Sequence, residues 1–578
     1  MLVYIYRSSF FFFIFENKVY TVLKISMDPK SGYCPDTKIF KSLRPSVSLP
    51  PLTEPLSIVQ YALSLLNSPT TGINLSATTF LVDADTGHRL CYADFLSQTQ
   101  NLAASIQARY PSLSQNDVAF VLSPTSIHVP IVFFALLSLG VVVSPANPLS
   151  SSSELTHMVQ LCKPLIAFAT SSTVGKLPSS LFPLGTILLD SPEFRKMIQI
   201  PVSNPISYPI IHQSDSAAIL YSSGTTGKVK GVELTHRNLI ALIASLFYSR
   251  FNDNAADEGE ITEQAVAFMT LPLFHVFGFF MLIRLASMGE TMVMTARFDF
   301  EKMLAAVEKY RVTYMPVSPP LVVAMAKSDL ALKYDLSSLQ LLACGGAPLG
   351  KEVAERFKSR FPNVEILQGY GLTETTGGAT GMNGPEESNQ YGSAGRLGVN
   401  VEAKIVDPES GKTLPPGHRG ELWLRAPTIM KGYVGDKQAT SATLDPEGWL
   451  KTGDLCYFDV DGFLYVVDRL KELIKYKAYQ VPPAELEHIL QSIPDVADAA
   501  VIPYPDEEAG EIPMAYIVRR PGSTITESQI IDIIAKQVSP YKKIRRVAFI
   551  NAIPKSPAGK ILRRELVNHA TNGASARL

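Results

Sequence analysis

The feature that most constrains this chain is a pattern repeated between about residues 50 and 470. A short β-rich apolar run is followed by a polar or glycine-rich segment and then by a stretch with helical spacing. The run 217–221 leads into a Ser/Gly/Thr loop, 265–270 into Pro272-Leu273-Phe274-His275, and 341–343 into Gly345-Gly346-Ala347-Pro348. After the amphipathic stretch 351–361, a further run at 364–367 enters Gln368-Gly369-Tyr370-Gly371. This alternation predicts α/β layering, and open α/β sheets place ligands beyond the carboxyl ends of their strands. The chemistry is therefore expected along one sheet edge. A chain of 578 residues exceeds what one core supports, so the α/β region, 27–470, is expected to be a large compound domain.

The texture changes after Asp468. A charged segment at 469–477 is followed by Pro482-Pro483, a helix from Ala484, strands near Ala499 and Met514, a helix over 527–537 and a strand near Val547. This predicts a small, mobile α+β C-terminal domain over 471–570, followed by a tail at 571–578. Residues 1–26 differ in composition, with an apolar run at 10–15 too short to span a bilayer. No small-residue cleavage site follows it, so 1–26 is expected to be a non-structural extension and Met27 the working start.

Charge excludes some classes of partner. With 52 basic against 53 acidic residues there is no global field to favour nucleic acid or an anionic membrane, so anionic ligands must be held locally. Stable membrane insertion is not expected: the closest apolar stretch, 129–143, is interrupted by Ser138 and Gly140. The five cysteines, Cys34, Cys91, Cys162, Cys344 and Cys456, are scattered without a Cys-x-x-Cys pair, which suits small buried apolar residues in a reducing compartment.

The segment Tyr221-Ser222-Ser223-Gly224-Thr225-Thr226-Gly227-Lys228-Val229-Lys230-Gly231 combines hydroxyls, closely approachable glycine backbone and lysines, which suits wrapping anionic oxygens. It is not a Walker loop, because two residues rather than four separate Gly224 from Gly227-Lys228, and no Ser or Thr follows Lys228. From composition alone it reads equally as a flexible surface loop. The segment resembles, at every fixed position, the phosphate-binding signature of the adenylate-forming superfamily. The resemblance runs from about residue 45 to 570 and is nearest to plant 4-coumarate:CoA ligases and their ligase-like relatives.

That resemblance implies roles for individual residues. Ser222, Ser223, Gly224, Thr225, Thr226, Gly227 and Lys230 would hold the phosphates of ATP. Gly346, Gln368, Gly369 and Tyr370 would line adenine, Thr373 would touch the α-phosphate and Glu374 would meet Mg²⁺. Magnesium prefers one or two carboxylates plus phosphate oxygens, so a single Glu there suffices. Asp454 in Lys451-Thr452-Gly453-Asp454 and Arg469 in Asp468-Arg469 resemble the ribose-binding pair, while Gly420-Glu421-Leu422-Trp423-Leu424-Arg425 matches a box read as structural. His275 would stand at the acyl site, with Phe277, Met281 and Gly381 along the acid pocket. Phe277 replaces the family's tyrosine, which removes a hydrogen-bonding partner for a phenolic acid. In the segment from Lys471 to Gln480, Lys471 would be the hinge, Lys475 and Gln480 would face AMP, and Lys477 with Ala478 would face coenzyme A. The family usually has glycine at Ala478, so an alanine there would be strained if positive φ were needed. Arg297 occupies a coenzyme A contact position, and Lys560 in Pro554-Lys555-Ser556-Pro557-Ala558-Gly559-Lys560 matches the adenylation lysine.

Taken alone, each of these residues has a plain structural reading: a solvated acid or lysine, a turn aspartate, a core histidine. Their joint occurrence in order implies an ATP- and Mg²⁺-dependent carboxylate:CoA ligase that makes an acyl adenylate and then an acyl-CoA thioester. The acid would be hydroxycinnamate-like, or a medium or long apolar acid such as a fatty acid or oxylipin precursor. Two rivals share the motifs: a luciferase-like adenylating oxygenase, told apart by oxygen dependence, and a non-catalytic acyl or nucleotide binder, told apart by pyrophosphate release. The closing Ala576-Arg577-Leu578 resembles Ser-Lys-Leu, which suggests a peroxisomal import receptor as partner and the peroxisome, otherwise the cytoplasm, as location.

Overall fold

The computed structural model describes residues 27–201, 206–223, 229–251, 264–477, 479–556 and 559–575, together with the backbone of three short strands within 1–26. Those strands, Ile5–Arg7, Phe10–Phe15 and Lys18–Val22, pair antiparallel with one another, where a non-structural extension was expected. Gly224, Thr225, Thr226, Gly227, Lys228, Ala478 and the terminal Ala576-Arg577-Leu578 lie outside the described residues.

Three sheets build the large domain. In the first, the strands run Thr186–Leu188, Ile166–Ala169, Val118–Leu122, Val142–Pro145, Ser216–Ser223, Val229–Thr235 and Gly432–Tyr433, parallel as far as Ser216–Ser223. The second, of nine strands, carries the parallel run Glu365–Tyr370, Leu341–Cys344, Tyr314–Val317, Val266–Phe268, Thr291–Met294 and Thr79–Asp83. The third is antiparallel and ends on the hairpin Leu450–Phe458 with Leu464–Arg469. Between the first two sheets lie apolar helices, including Tyr92–Arg109, His128–Ser138 and Val276–Met288, in one continuous core. The apolar stretch at 129–143 is this core: a helix buried on every side from Val129 to Leu137, followed by the strand Val142–Pro145. Among the described residues no helix is long and apolar enough to cross a membrane.

Sheet membership changes between Arg469 and Ile474, where the chain leaves the third sheet for a small one. The small sheet holds Tyr479–Val481, Ile474–Tyr476, Gly510–Arg519, Val496–Asp506 and Arg546–Phe549, with helices Pro483–Ser492 and Glu527–Ala535 packed on it. Thr526 starts the second helix with a reciprocal capping box to Gln529. The helix Arg563–Ser575 continues past 570, so the segment expected as a tail from 571 begins inside a helix. Four cysteines are buried, whereas Cys91 is half-buried and its Sγ accepts the Asp94 N–H at the start of helix Tyr92–Arg109, a cap rather than a core residue.

The small domain is clasped to the large one through the helix Pro483–Ser492. At its N-terminus the Ala484 N–H donates to Asp468 Oδ2 at 2.9 Å. At its C-terminus Lys327 Nζ donates to the Gln491 and Val496 carbonyls at 3.5 and 3.1 Å, and Arg356 Nη2 to Ser492 O at 3.4 Å. An anion at the positive end and cations at the negative end both complement the helix dipole. Burial and the nearby Arg520 and Arg356 hold Lys327 down to about 8, so closure carries a desolvation cost at that lysine.

Candidate active site

Between the two domains lies a cleft of about 660 Å³. Gly346, Gln368, Gly369, Tyr370, Asp454 and Arg469 reach it from the large domain, and Lys560 and Arg563 from the small one. The strand Glu365–Tyr370 delivers Gln368, Gly369 and Tyr370 to its edge, as expected for the carboxyl end of a parallel strand. Gly346, at φ 86°, follows the neighbouring strand Leu341–Cys344.

Asp454 and Arg469 are direct cross-strand partners, with Arg469 Nε 3.1 Å from Asp454 Oδ1. The Tyr370 hydroxyl donates to Asp454 Oδ2 at 2.6 Å. Oδ1 is buried and, among the described residues, receives no aligned hydrogen bond, because the close Arg469 contact lacks hydrogen-bond geometry. Burial pushes the Asp454 carboxyl above the ordinary range, while Arg469, Tyr370 and Lys560 pull it back. That oxygen has the Arg469 cation beside it but no aligned donor, so a ligand hydroxyl could supply its hydrogen bond. Glu421, which sequence reasoning read as part of a structural box, braces this turn: its Oε1 accepts the Gly453 N–H at 3.0 Å and its Oε2 the Trp423 Nε1–H at 2.8 Å.

Lys560 enters the cleft on a tight turn, in which the Ser556 N–H donates to the Lys560 carbonyl at 2.7 Å. Burial, and then the Arg469 cation, hold its ammonium below the ordinary lysine value, while Glu472 and Asp454 oppose that shift. Gly559 lets this turn approach the large domain: it has φ 81°, and a Cβ there would lie 2.9 Å from Ser318 Oγ and 3.2 Å from Pro320. Behind Lys560, Arg563 is fixed by Glu472 at 2.5 Å and Glu487 at 2.6 Å.

Glu374 sits in the short turn Thr373–Thr375, with Thr373 buried beneath it. Its Oε1 accepts from Ser222 Oγ at 3.2 Å and from the Tyr433 hydroxyl at 2.8 Å. Among the described residues its other oxygen carries no hydrogen bond, and no group of three metal-ligating side chains occurs. A divalent ion here would share Glu374 with ligand phosphates, the arrangement magnesium favours. Lys230 Nζ lies 4.5 Å above the Tyr433 ring.

His275 caps the helix Val276–Met288, its Nδ1 accepting the Phe277 N–H at 3.3 Å. Burial lowers its pKa to about 4, so the imidazole is neutral near pH 7 and, with Nδ1 accepting, carries its proton on Nε2. The turn needs Gly278, because a Cβ there would lie 2.2 Å from the Pro272 carbonyl oxygen. Phe277 stacks on Phe280 at 5.4 Å and 18°, and Met281 is buried. These rings lie against glycines: a Cβ on Gly345 would meet Phe277 at 3.1 Å, and one on Gly377 would meet Phe280 at 2.5 Å. Gly381 pairs with Gly369 and faces open space.

The described residues lining the cleft do not include Thr373, Glu374, His275, Phe277, Met281 or Gly381, nor the remaining sequence-derived residues. Lys475, Lys477 and Gln480 are exposed on the hairpin Ile474–Tyr476 with Tyr479–Val481, where Lys477 has a positive φ of 51°. Lys471 is exposed at the domain junction, and Arg297 is exposed in a bend after Thr291–Met294. Ser222 and Lys230 flank the loop whose centre lies outside the described residues, as Ser223 closes its strand.

Comparison with known proteins bears on this geometry. The family model described as AMP-binding enzyme matches residues 74–434, and that described as AMP-binding enzyme C-terminal domain matches 485–560. The chain is 59% identical over 559 residues to 4-coumarate–CoA ligase-like 9 of Arabidopsis thaliana, covering 96% of this chain and 98% of that one. It is 42% identical over 561 residues to peroxisomal OPC-8:0-CoA ligase 1 of the same plant, covering 95% and 99%. Among solved structures, o-succinylbenzoate CoA synthetase from Bacillus subtilis with its acyl-adenylate superposes with TM-score 0.73 at 26% identity, covering 88% of this chain and 97% of that one. An anthranilate CoA ligase in complex with anthranoyl-AMP shares the fold with TM-score 0.80 at 23% identity, covering 91% and 99%.

Proposed function

We infer that this chain, which belongs to the AMP-binding enzyme family and is a CoA ligase of its plant 4-coumarate–CoA ligase-like branch, activates an apolar carboxylic acid in two steps around the cleft. ATP, Mg²⁺ and coenzyme A are the cofactors of this family. The observation that carries the reading is the meeting of Lys560 with the Asp454–Arg469 pair in one interdomain cleft, where Asp454 Oδ1 receives no aligned hydrogen bond. An oxygen atom of the acid attacks the α-phosphorus of ATP, the bond to the β-phosphate breaks and pyrophosphate leaves. The coenzyme A sulfur then attacks the acyl carbon as its thiol proton is lost, and AMP leaves with the former carboxylate oxygen.

In this reading Asp454 accepts from the ribose hydroxyls, with Arg469 beside it. Gly346, Gln368, Gly369 and Tyr370 bound adenine, Ser222, Ser223, Thr373 and Lys230 bind phosphate, and Glu374 binds magnesium. Lys560 neutralises the charge developing between carboxylate and α-phosphate, so the first step proceeds by positioning and electrostatics without a covalent enzyme intermediate. Rotation of the small domain about Lys471 then brings Lys475, Lys477, Ala478 and Gln480 inward for the second step, with Arg297 toward coenzyme A. The relatives, which are named as CoA ligases, favour a ligase over a luciferase-like oxygenase or a silent binder.

The stacked Phe277 and Phe280, set against Gly345 and Gly377, support an apolar acid over a phenolic one. An apolar pocket discriminates weakly, so the acid range is broad. Thioester formation across a panel of cinnamate, 4-coumarate and medium and long fatty acids tests this; a clear preference for 4-coumarate would contradict it. A peroxisomal location, supported by the name of the 42% identical relative, is tested by locating a tagged protein with a free C-terminus.

A further inference from the structure

Tyr433 lies 59 residues from Glu374 in sequence and belongs to none of the motifs that identify the site, yet its hydroxyl makes the shorter of the two hydrogen bonds to the Glu374 carboxylate, 2.8 against 3.2 Å. The position is built. Tyr433 ends the two-residue strand Gly432–Tyr433, which pairs antiparallel with Val229–Thr235, the strand leaving the phosphate loop, through Val232 and Glu233. Two backbone bonds fix the same segment, Met430 N–H to the Glu374 carbonyl and Lys431 N–H to the Glu233 carbonyl, each at 2.9 Å. The ring is half-buried, and Lys230 lies on its face at 4.5 Å.

We propose that Tyr433 is a positioning residue for the metal step: its hydroxyl occupies one oxygen of Glu374 and thereby turns the other toward the metal and the ATP phosphates. The inference rests on the reading of Glu374 as the magnesium carboxylate. A carboxylate on a freely rotating side chain must give up rotamers when it takes a cation, and a residue that has already fixed it lowers that cost. Tyr433 also ties the carboxylate to the strand that carries Lys230, so the metal and phosphate ligands keep their spacing as one unit.

The substitution Tyr433→Phe removes the hydroxyl and leaves the ring under Lys230. The test is Mn²⁺, standing in for Mg²⁺, titrated by electron paramagnetic resonance into the full chain with a non-hydrolysable ATP analogue. Y433F is expected to weaken Mn²⁺ binding about tenfold, the scale of one lost hydrogen bond to a charged group, and E374Q by at least as much. In turnover, Y433F should raise the Mg²⁺ concentration for half-maximal pyrophosphate release, with kcat restored at saturating Mg²⁺. Transfer from a supplied acyl adenylate to coenzyme A should be unchanged. If E374Q weakens the metal and Y433F does not, the positioning role falls and the magnesium reading stands. If E374Q leaves metal affinity at the wild-type value, the reading of Glu374 falls and the proposal with it. Thermal unfolding of Y433F within a few degrees of wild type separates loss of the hydroxyl from loss of the fold.

Discussion

Two lysine-bearing segments of the small domain stand in opposite relation to the cleft. The turn carrying Lys560 is inserted, with Gly559 against Ser318 and Pro320 and the half-buried Lys560 in the same cleft as Asp454 and Arg469. The hairpin carrying Lys475, Lys477 and Gln480 is turned outward, and these three side chains are exposed. Both belong to the small domain, and in this orientation the Lys560 turn enters the cleft while the hairpin does not. The arrangement matches the first of the two proposed steps, and the difference between the segments is the basis for assigning each to its own half-reaction.

The sharpest way to break that division is to remove each lysine and measure both half-reactions. Lys560→Ala should lower adenylation by roughly 10²–10³, the cost of one preorganised electrostatic donor, and leave transfer from a supplied acyl adenylate nearly intact. Lys477→Ala should spare pyrophosphate release and slow transfer. Equal damage to both steps by both variants would abolish the division. A second measurement sharpens it through pH. Burial and Arg469 lower the Lys560 pKa, so the charged form that adenylation needs is lost as pH rises, at a pH below the ordinary lysine value. The alkaline limb of the adenylation rate should move upward in Lys560→Arg, whose guanidinium stays charged.

Smaller effects come from the contacts that set the domain's position. Gly559→Ala places a methyl group against Ser318 and Pro320 only when the turn is inserted, and forces alanine to a positive φ. Such strain costs on the order of 1–3 kcal/mol, so adenylation should fall about tenfold while transfer holds. An equal loss in both steps would show that the turn does not leave the cleft. The weakest effect is expected from the paired change of Lys327 and Arg356 to alanine, which frees the C-terminus of helix Pro483–Ser492. Helix-dipole contacts are each worth about 0.3–1 kcal/mol, and Lys327 also sheds its desolvation cost, so adenylation should drop only a few-fold. An unchanged ratio of the two half-rates would show that the clasp does not hold the closed position.

What the sequence made legible follows from how each feature is written in it. The motifs around Gly346, Tyr370, Glu374, Asp454 and Lys560 are contiguous runs, and strand ends carried most of them to one edge. Tyr433 and Glu421 were not legible as site residues, because they reach Glu374 and Gly453 by strand pairing and side-chain reach that no local spacing encodes. Helix Arg563–Ser575 was missed since its start, Arg563-Arg564-Glu565, is polar and, among its described side chains, Leu566 and Ala570 carry the buried stripe. Cys91 was misread because a thiol at a helix start looks, from composition, like any buried cysteine. The outward position of Lys475 and Gln480 depends on the orientation of a whole domain, which residue types alone do not specify.

The rung formed by Asp454 and Arg469 lies at the last paired position before the chain crosses domains, and the Leu470 N–H still returns to the Gly453 carbonyl at 3.0 Å. In the proposed reading, the sugar grip is thus built at the foot of the axle rather than on the arm that swings. Displacement grows with distance from an axis, so a rotation large enough to exchange Lys560 for Lys477 moves Asp454 hardly at all. On that proposal the nucleotide half of the intermediate stays moored while the machinery around it is replaced, and the reactive acyl group is not released to water between the two chemistries.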